Sequence, residues 1–225
     1  MLNAATCNAH HTSGCGQAPA VVKVGQGTFG LAVSVATDTI YGPNAGSAAS
    51  GFTNGHTVSV INGATCNGTD HTGCGHLAAT ATAGRQPEGA AMDDATHTVY
   101  VANNANGDSP GTVSVINTAT CNGTVTTGCH RRFPTMATGR SPFLAAVDPS
   151  TGILYVTAIS SAEVTILNGA RCNAAVTTGC HTPGRQQAVG SLPFALAINP
   201  GTRTVYVAQP FFQTPSLSIF KTIQH

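Results

Sequence analysis

Eight cysteines carry the clearest chemical signal in the chain. They fall into four pairs, Cys7/Cys15, Cys66/Cys74, Cys121/Cys129 and Cys172/Cys180, each with seven residues between its members. Two thiols flanking a tight loop can face each other at the Cα separation a disulfide needs, so the economical reading is one local bridge per pair. Closing so short a ring restricts the unfolded chain by about 2.5 kcal/mol per bridge in the loop-entropy description. Zinc is the competing chemistry, because His10, His11, His71, His76, His130 and His181 lie inside or just after these loops. Zinc prefers thiolates two or four residues apart and four ligands per site, which this spacing meets poorly. Free thiols are the third reading. Disulfides imply an oxidising compartment, hence an extracellular or cell-surface protein, although the first twenty residues carry no signal-peptide pattern.

A second set of residues is polar. Four turns align without gaps as Gly25-Gln26-Gly27-Thr28-Phe29, Gly84-Arg85-Gln86-Pro87-Glu88, Gly139-Arg140-Ser141-Pro142-Phe143 and Gly190-Ser191-Leu192-Pro193-Phe194. In a chain with 8% charged residues, Arg85, Glu88 and Arg140, with Asn104 and Asp108 from a neighbouring loop, form the candidate ligand-binding set. Arginine forks recognise carboxylate or phosphate. Their bland counterpart is solvated turn charge, and the phenylalanines read as apolar plugs. Catalytic motifs fail. Gly107-Asp108-Ser109-Pro110-Gly111 spells G-x-S-x-G but lacks the strand-to-helix elbow that exposes a nucleophile. Asp93 and Asp94 are adjacent, so on a strand they point to opposite faces. No catalytic residue, metal site or cofactor is assigned. Asn67-Gly68-Thr69 and Asn122-Gly123-Thr124 match glycosylation acceptors.

Composition bounds what can hold these residues. Nine Lys and Arg against eight Asp and Glu give no phosphate-tracking face, so nucleic acid is not an expected partner. No run of 18 apolar residues exists, so no membrane span is expected. Abundant Gly, Pro, Thr and Val, with no Trp, favour short strands and turns.

Those strands recur. In the second copy they are expected at Ala79–Gly84, Gly89–Asp93, Thr98–Asn103 and Thr112–Asn117, and the other copies repeat the set, with Val21–Val24 as a spare strand at the start. Four short antiparallel strands per repeat of about 51–59 residues predict an all-β propeller of four four-stranded blades in a single domain over residues 1–225. With strands lettered A to D outward from the axis, the central A-strand position is always alanine: Ala32, Ala91, Ala146 and Ala197. Tyr41, Tyr100, Tyr155 and Tyr206 occupy one column of strand B, where their phenols are expected to satisfy a repeated buried hydrogen bond.

Tyr100-Val101-Ala102-Asn103, Tyr155-Val156-Thr157-Ala158 and Tyr206-Val207-Ala208-Gln209, with the preceding Val147-Asp148-Pro149 and Ile198-Asn199-Pro200, resemble the YVTN-repeat β-propeller family. The resemblance covers almost the whole chain. It implies a surface-layer or secreted binding propeller, usually of more than four blades, with lactonase-like relatives. Tyr41-Gly42-Pro43-Asn44 departs from the pattern, and its proline predicts an early end to that strand.

The chain starts with a spare D strand and ends on strand C. Either Val21–Val24 pairs with Leu217–Phe220 and closes four blades, or the chain is an arc of a larger propeller, open to self-association. From each first cysteine to the next tyrosine the spacing is constant at 34 residues, whereas tyrosine to the next cysteine takes 25, 21 and 17. Insertions therefore lie in the B-to-C connections, on the face shared with the D-to-A turns, and variable loops on a rigid frame are where binding specificity sits. Neutral drift is the alternative. The functional expectation is a non-enzymatic binding scaffold taking a protein or small-molecule ligand on that face. The runners-up are a lactonase-like or streptogramin-lyase-like enzyme with a site at the axial mouth, and a structural surface-layer module.

Overall fold

The computed structural model describes residues 3–16, 18–107, 109–210 and 215–223. The first antiparallel sheet is β1 (Ala32–Ser34), β2 (Thr39–Asn44), β3 (Thr57–Asn62) and β4 (Ala79–Thr82). The second is β5 (Pro87–Asp93), β6 (Thr98–Asn103), β7 (Pro110–Asn117) and β8 (Thr135–Arg140), and the third is β9 (Pro142–Asp148), β10 (Ile153–Ala158), β11 (Glu163–Asn168) and β12 (Arg185–Ala188). The fourth has three strands among the described residues: β13 (Ala195–Asn199), β14 (Thr204–Gln209) and β15 (Ser216–Lys221). Among the described residues helix is confined to three-residue 3-10 turns at Ala48–Ser50, Asp94–Thr96 and Ile159–Ser161. The fold is a β-propeller of consecutive blades.

The first strands of the blades pack on one another in sequence, β1 on β5, β5 on β9 and β9 on β13, so they line the axis. The crowding there recurs from blade to blade: a Cβ on Gly89 would stand 2.5 Å from the Phe143 carbonyl oxygen of the third blade, and the first two blades meet almost as closely. Gly30 donates its N–H to the Glu88 carbonyl at 3.0 Å, and a Cβ on Gly30 would stand 2.9 Å from the Gly89 Cα. Only glycine permits that approach.

Apolar clusters fill the spaces between blades. Tyr41, Val58 and Val60 meet Val99, Val101 and Ile116; Tyr100, Val113 and Val115 meet Leu154, Val156 and Leu167; Tyr155, Val164 and Ile166 meet Val205 and Val207. Because a blade is covered on both sides, β6 and β10 are buried along their whole length. β-Branched residues suit such strands, and their burial is the main stabilising term.

Polar ties repeat at the same junctions. The glycine that opens each D-to-A turn donates its N–H to a hydroxyl on the third strand of the next blade: Gly25 to Ser59 (3.1 Å), Gly84 to Ser114 (3.2 Å), Gly139 to Thr165 (3.0 Å) and Gly190 to Ser218 (3.3 Å). The tyrosines of the first three blades each reach the following blade. Tyr41 donates to the Cys121 carbonyl at 2.7 Å and Tyr100 to the Cys172 carbonyl at 2.9 Å, while Tyr155 accepts from the Ile223 N–H at 2.9 Å. The expected buried bond of the tyrosine column is thus a bond between blades.

All four cysteine pairs are local disulfides, with Cα separations of 4.7 to 4.8 Å. Within each loop the asparagine after the first cysteine organises the turn. Asn122 donates Nδ2 to the Thr118 carbonyl and accepts at Oδ1 from the N–H groups of Thr124 and Val125. That corrects the acceptor reading of Asn122-Gly123-Thr124: the atom that would carry a glycan is buried and bonded.

Two further expectations are corrected. β2 runs through Pro43 to Asn44 rather than stopping early. β1 pairs with it only as far as Tyr41, so beyond that point one edge of β2 is free and tolerates a residue with no N–H. Of the two arrangements expected, closure by pairing Val21–Val24 with β15 is not the one found: among the described residues β15 pairs only with β14. Residues 21–25 instead lie against the first blade, where Lys23 bridges Leu77 and its carbonyl accepts from Ala78. The four blades form an open arc.

Candidate functional site

The D-to-A turns and B-to-C loops are bonded to each other in each of the first three blades. Ala45 donates to the Gly27 carbonyl (3.1 Å), Asn104 to Gln86 (2.9 Å) and Ile159 to Ser141 (2.9 Å). The residues whose carbonyls accept these bonds share a backbone state with Leu192 at the equivalent position of the fourth turn: Gly27, Gln86, Ser141 and Leu192 all have positive φ, between 53° and 71°. Three of these are not glycine, so the left-handed turn is held against its intrinsic cost by the surrounding bonds. These connections place both sets of loops on one face, opposite the disulfide loops, as the meander requires.

The loops mounted on this frame differ. The first carries the 3-10 turn Ala48–Ser50, with Asn54 Oδ1 accepting from Ser47 N–H and Ser50 Oγ. The second turns through positive φ at Ala105, Asn106 and Gly107. The third is the short 3-10 turn Ile159–Ser161. Ser141 joins the last two, bonding Oγ to the Gly107 carbonyl and lying 2.7 Å from Ser160 Oγ.

The proposed ligand residues are brought to this face but play unlike parts. Arg85 and Arg140 are exposed. Their backbones are tied to the loops of their blades, the Arg85 carbonyl accepting from Ala105 N–H at 3.2 Å and Arg140 N–H donating to Ser161 Oγ at 2.7 Å. Asn104 is buried and accepts from Gly107 N–H at 2.8 Å, so its side chain shapes the loop rather than facing solvent. Asp108 lies outside the described residues.

Glu88 departs most from its expected character. Its carboxyl is 3% exposed and sits at a bulge in β5, where the pairing shifts between Pro87 and Gly89. Oε1 accepts from Gln86 Nε2 at 2.9 Å, and Oε2 has no partner. Burial pushes the carboxyl up to about 7, only partly offset by the Gln86 bond. The equivalent positions on the other blades are phenylalanines that meet near the axis, Phe29 with Phe143 at 6.2 Å and Phe143 with Phe194 at 4.4 Å. They join three blades at the mouth instead of each plugging one junction. Glu88 can hold a proton near neutrality, but among the described residues its carboxyl meets no second titratable group with which to run acid and base steps. Nor is there, among those residues, a group of three or more His, Cys, Asp or Glu that could hold a metal ion.

Clefts lie elsewhere. One of about 380 Å³ opens between β4 and the segment after the third disulfide loop, lined by His130, Arg131, Arg132 and Phe133. Another of about 330 Å³ is lined by Met136, Ile153, Arg171 and Arg185 among others. The signal for the first of them in the sequence is the run His130-Arg131-Arg132 directly after Cys129, the densest positive charge in a charge-poor chain.

No family model matches the chain, and no curated protein matches it in sequence. Among solved structures it is similar to hydrazine synthase from Kuenenia stuttgartiensis, with 16% identity, 91% of this chain and 49% of that one covered, and a TM-score of 0.62. It is also similar to the dihydro-heme d1 dehydrogenase NirN in complex with DHE, with 14% identity, 86% and 34% covered, and a TM-score of 0.53. The chain spans about half the length of the first and about a third of the second. At such identity the likeness is one of fold, and the fold these neighbours share with this chain is the β-propeller.

Proposed function

We propose that this chain is a non-enzymatic binding scaffold of the YVTN-repeat type, working in an oxidising compartment outside the cytoplasm, and that its B-to-C and D-to-A loops carry the specificity. One contrast carries the reading. The tie from turn glycine to third-strand hydroxyl recurs at every D-to-A turn, from Gly25–Ser59 to Gly190–Ser218, whereas the loops raised on that frame differ in length and conformation. A frame held constant under unlike loops is what a binding surface needs. Arg85 and Arg140 give the face its positive charge, so a carboxylate- or phosphate-bearing protein or small molecule is the ligand class.

The test is a binding screen of the oxidised chain against acidic peptides, phosphorylated compounds and acidic glycans, repeated with Arg85→Ala/Arg140→Ala. The reading expects a ligand whose affinity falls at least about tenfold in the double variant, equivalent to about 1.4 kcal/mol, with unchanged melting temperature. Affinity untouched by the double variant but lost in Arg131→Ala/Arg132→Ala would move the site to the cleft beside the third disulfide loop, which is the second reading that the charge there favours.

A further inference from the structure

The two ends of the arc are the two halves of one blade junction. Inside the protein, Val58 and Val60 of β3 are fully buried against Val99 and Val101 of the next blade. The equivalent residues of β15 are Leu217 and Ile219, and they are 54% and 61% exposed. At the other end, Leu31 and Val33 occupy the positions of Ala90 and Met92, which pack into that same internal cluster. They are 61% and 54% exposed. Both halves stand open at once, so the chain does not satisfy them by closing on itself.

A strand edge is open beside them. β4, β8 and β12 each complete a blade by pairing with its third strand, whereas among the described residues β15 has a partner on one side only. Residues 21–25 are already seated as such an outermost strand is seated on the blade that follows it. Gly25 bonds to Ser59 as Gly84 bonds to Ser114, and the Lys23 carbonyl accepts from Ala78 just past the second disulfide loop. Their other edge pairs with no strand among the described residues.

We infer that a second copy of this chain docks head-to-tail on the fourth blade, its residues 21–25 adding to β15 and its first blade covering Leu217 and Ile219. The occupant follows from continuity with the junctions inside the chain, which show what surface each half takes. The pairing of Thr57 with Thr82 and Ser59 with Thr80 transfers to Ser216 opposite Lys23 of the second copy, and Ser218 opposite Val21. Strand addition supplies the backbone hydrogen bonds, and the apolar faces supply the driving force. The contact is heterologous, so it builds a ring or a longer row of copies.

Residues directly opposite in an antiparallel pair stand about 4.5 to 5.5 Å apart at Cα, within reach of a disulfide. Lys23→Cys and Ser216→Cys are therefore made as separate variants, neither of which can form the new bond alone, then mixed under mild oxidation and mapped by peptide mass spectrometry. The inference expects a covalent dimer on mixing, linked between positions 23 and 216, and a native chain whose light-scattering mass exceeds one copy and falls to one copy in Leu217→Lys/Ile219→Lys. Two results overturn it: no cross-chain link on mixing, or a monomeric native mass at every concentration. A Lys23→Cys/Ser216→Cys double variant that links only within a single chain overturns it too, in favour of self-closure.

Discussion

The phenol of Tyr41 donates to the carbonyl of Cys121 at 2.7 Å, across the junction between the first and second blades. Tyr100 makes the same bond to Cys172 at the next junction. The third and fourth disulfide loops are thereby each held on the blade before them. Tyr41→Phe and Tyr100→Phe should each cost about 1 to 2 kcal/mol, because a buried carbonyl loses its donor while the ring packing survives. Tyr206 is only partly buried, so Tyr206→Phe should change stability by less than about 0.5 kcal/mol. Urea unfolding of the three variants checks the ordering.

The disulfides divide by burial. Cys66, Cys74, Cys121, Cys129, Cys172 and Cys180 are all buried, whereas the Cys7–Cys15 loop is largely exposed. Under a reductant at native conditions Cys7–Cys15 should open first, with the other three persisting until the blades unfold. Timed alkylation and mass mapping read the order. Cys121→Ser/Cys129→Ser should lower stability by about 2 to 3 kcal/mol.

Glu88 makes stability depend on pH. Its folded-state carboxyl is raised from 4.5 to about 7, so the folded state binds the proton more tightly than the unfolded one. The stabilisation is fully present below about 4.5 and is lost as pH rises through about 7. Wild-type stability attributable to this group should therefore fall between those values and level off above. Glu88→Gln should flatten that slope and stand above the wild type at pH 8 by on the order of 2 kcal/mol. Melting temperatures measured across the window decide it, and parallel curves for the two proteins would contradict the assignment.

Much of the frame was legible because it repeats in residue type. The tyrosine column, the invariant cysteine spacing and the alanines of the inner strand mark the same positions in every blade. What repeats only in conformation was not legible. Gly27, Gln86, Ser141 and Leu192 share a left-handed backbone but no chemistry, and at the first three a bond from the neighbouring loop, not the side chain, holds the turn. Glu88 reads as a turn charge by type and becomes a buried acid only through the bulge that turns it inward. Pro43 reads as a strand end, and the short β1 removes the partner that would have enforced one. The clefts beside Arg131 and Arg171 are not legible in the sequence, because cysteine spacing marks a staple and says nothing of the wall the closed loop forms.

The account rests on function lying in the loops and stability in the junctions. Hydrogen exchange of the oxidised chain with and without a ligand found by screening measures both at once. The account predicts new protection at residues 45–55, 104–107 and 159–161, with the strands Thr98–Asn103 and Ile153–Ala158 slow to exchange in either state. Protection confined to residues 129–135 and 171–185, with the loop amides unchanged, would contradict it.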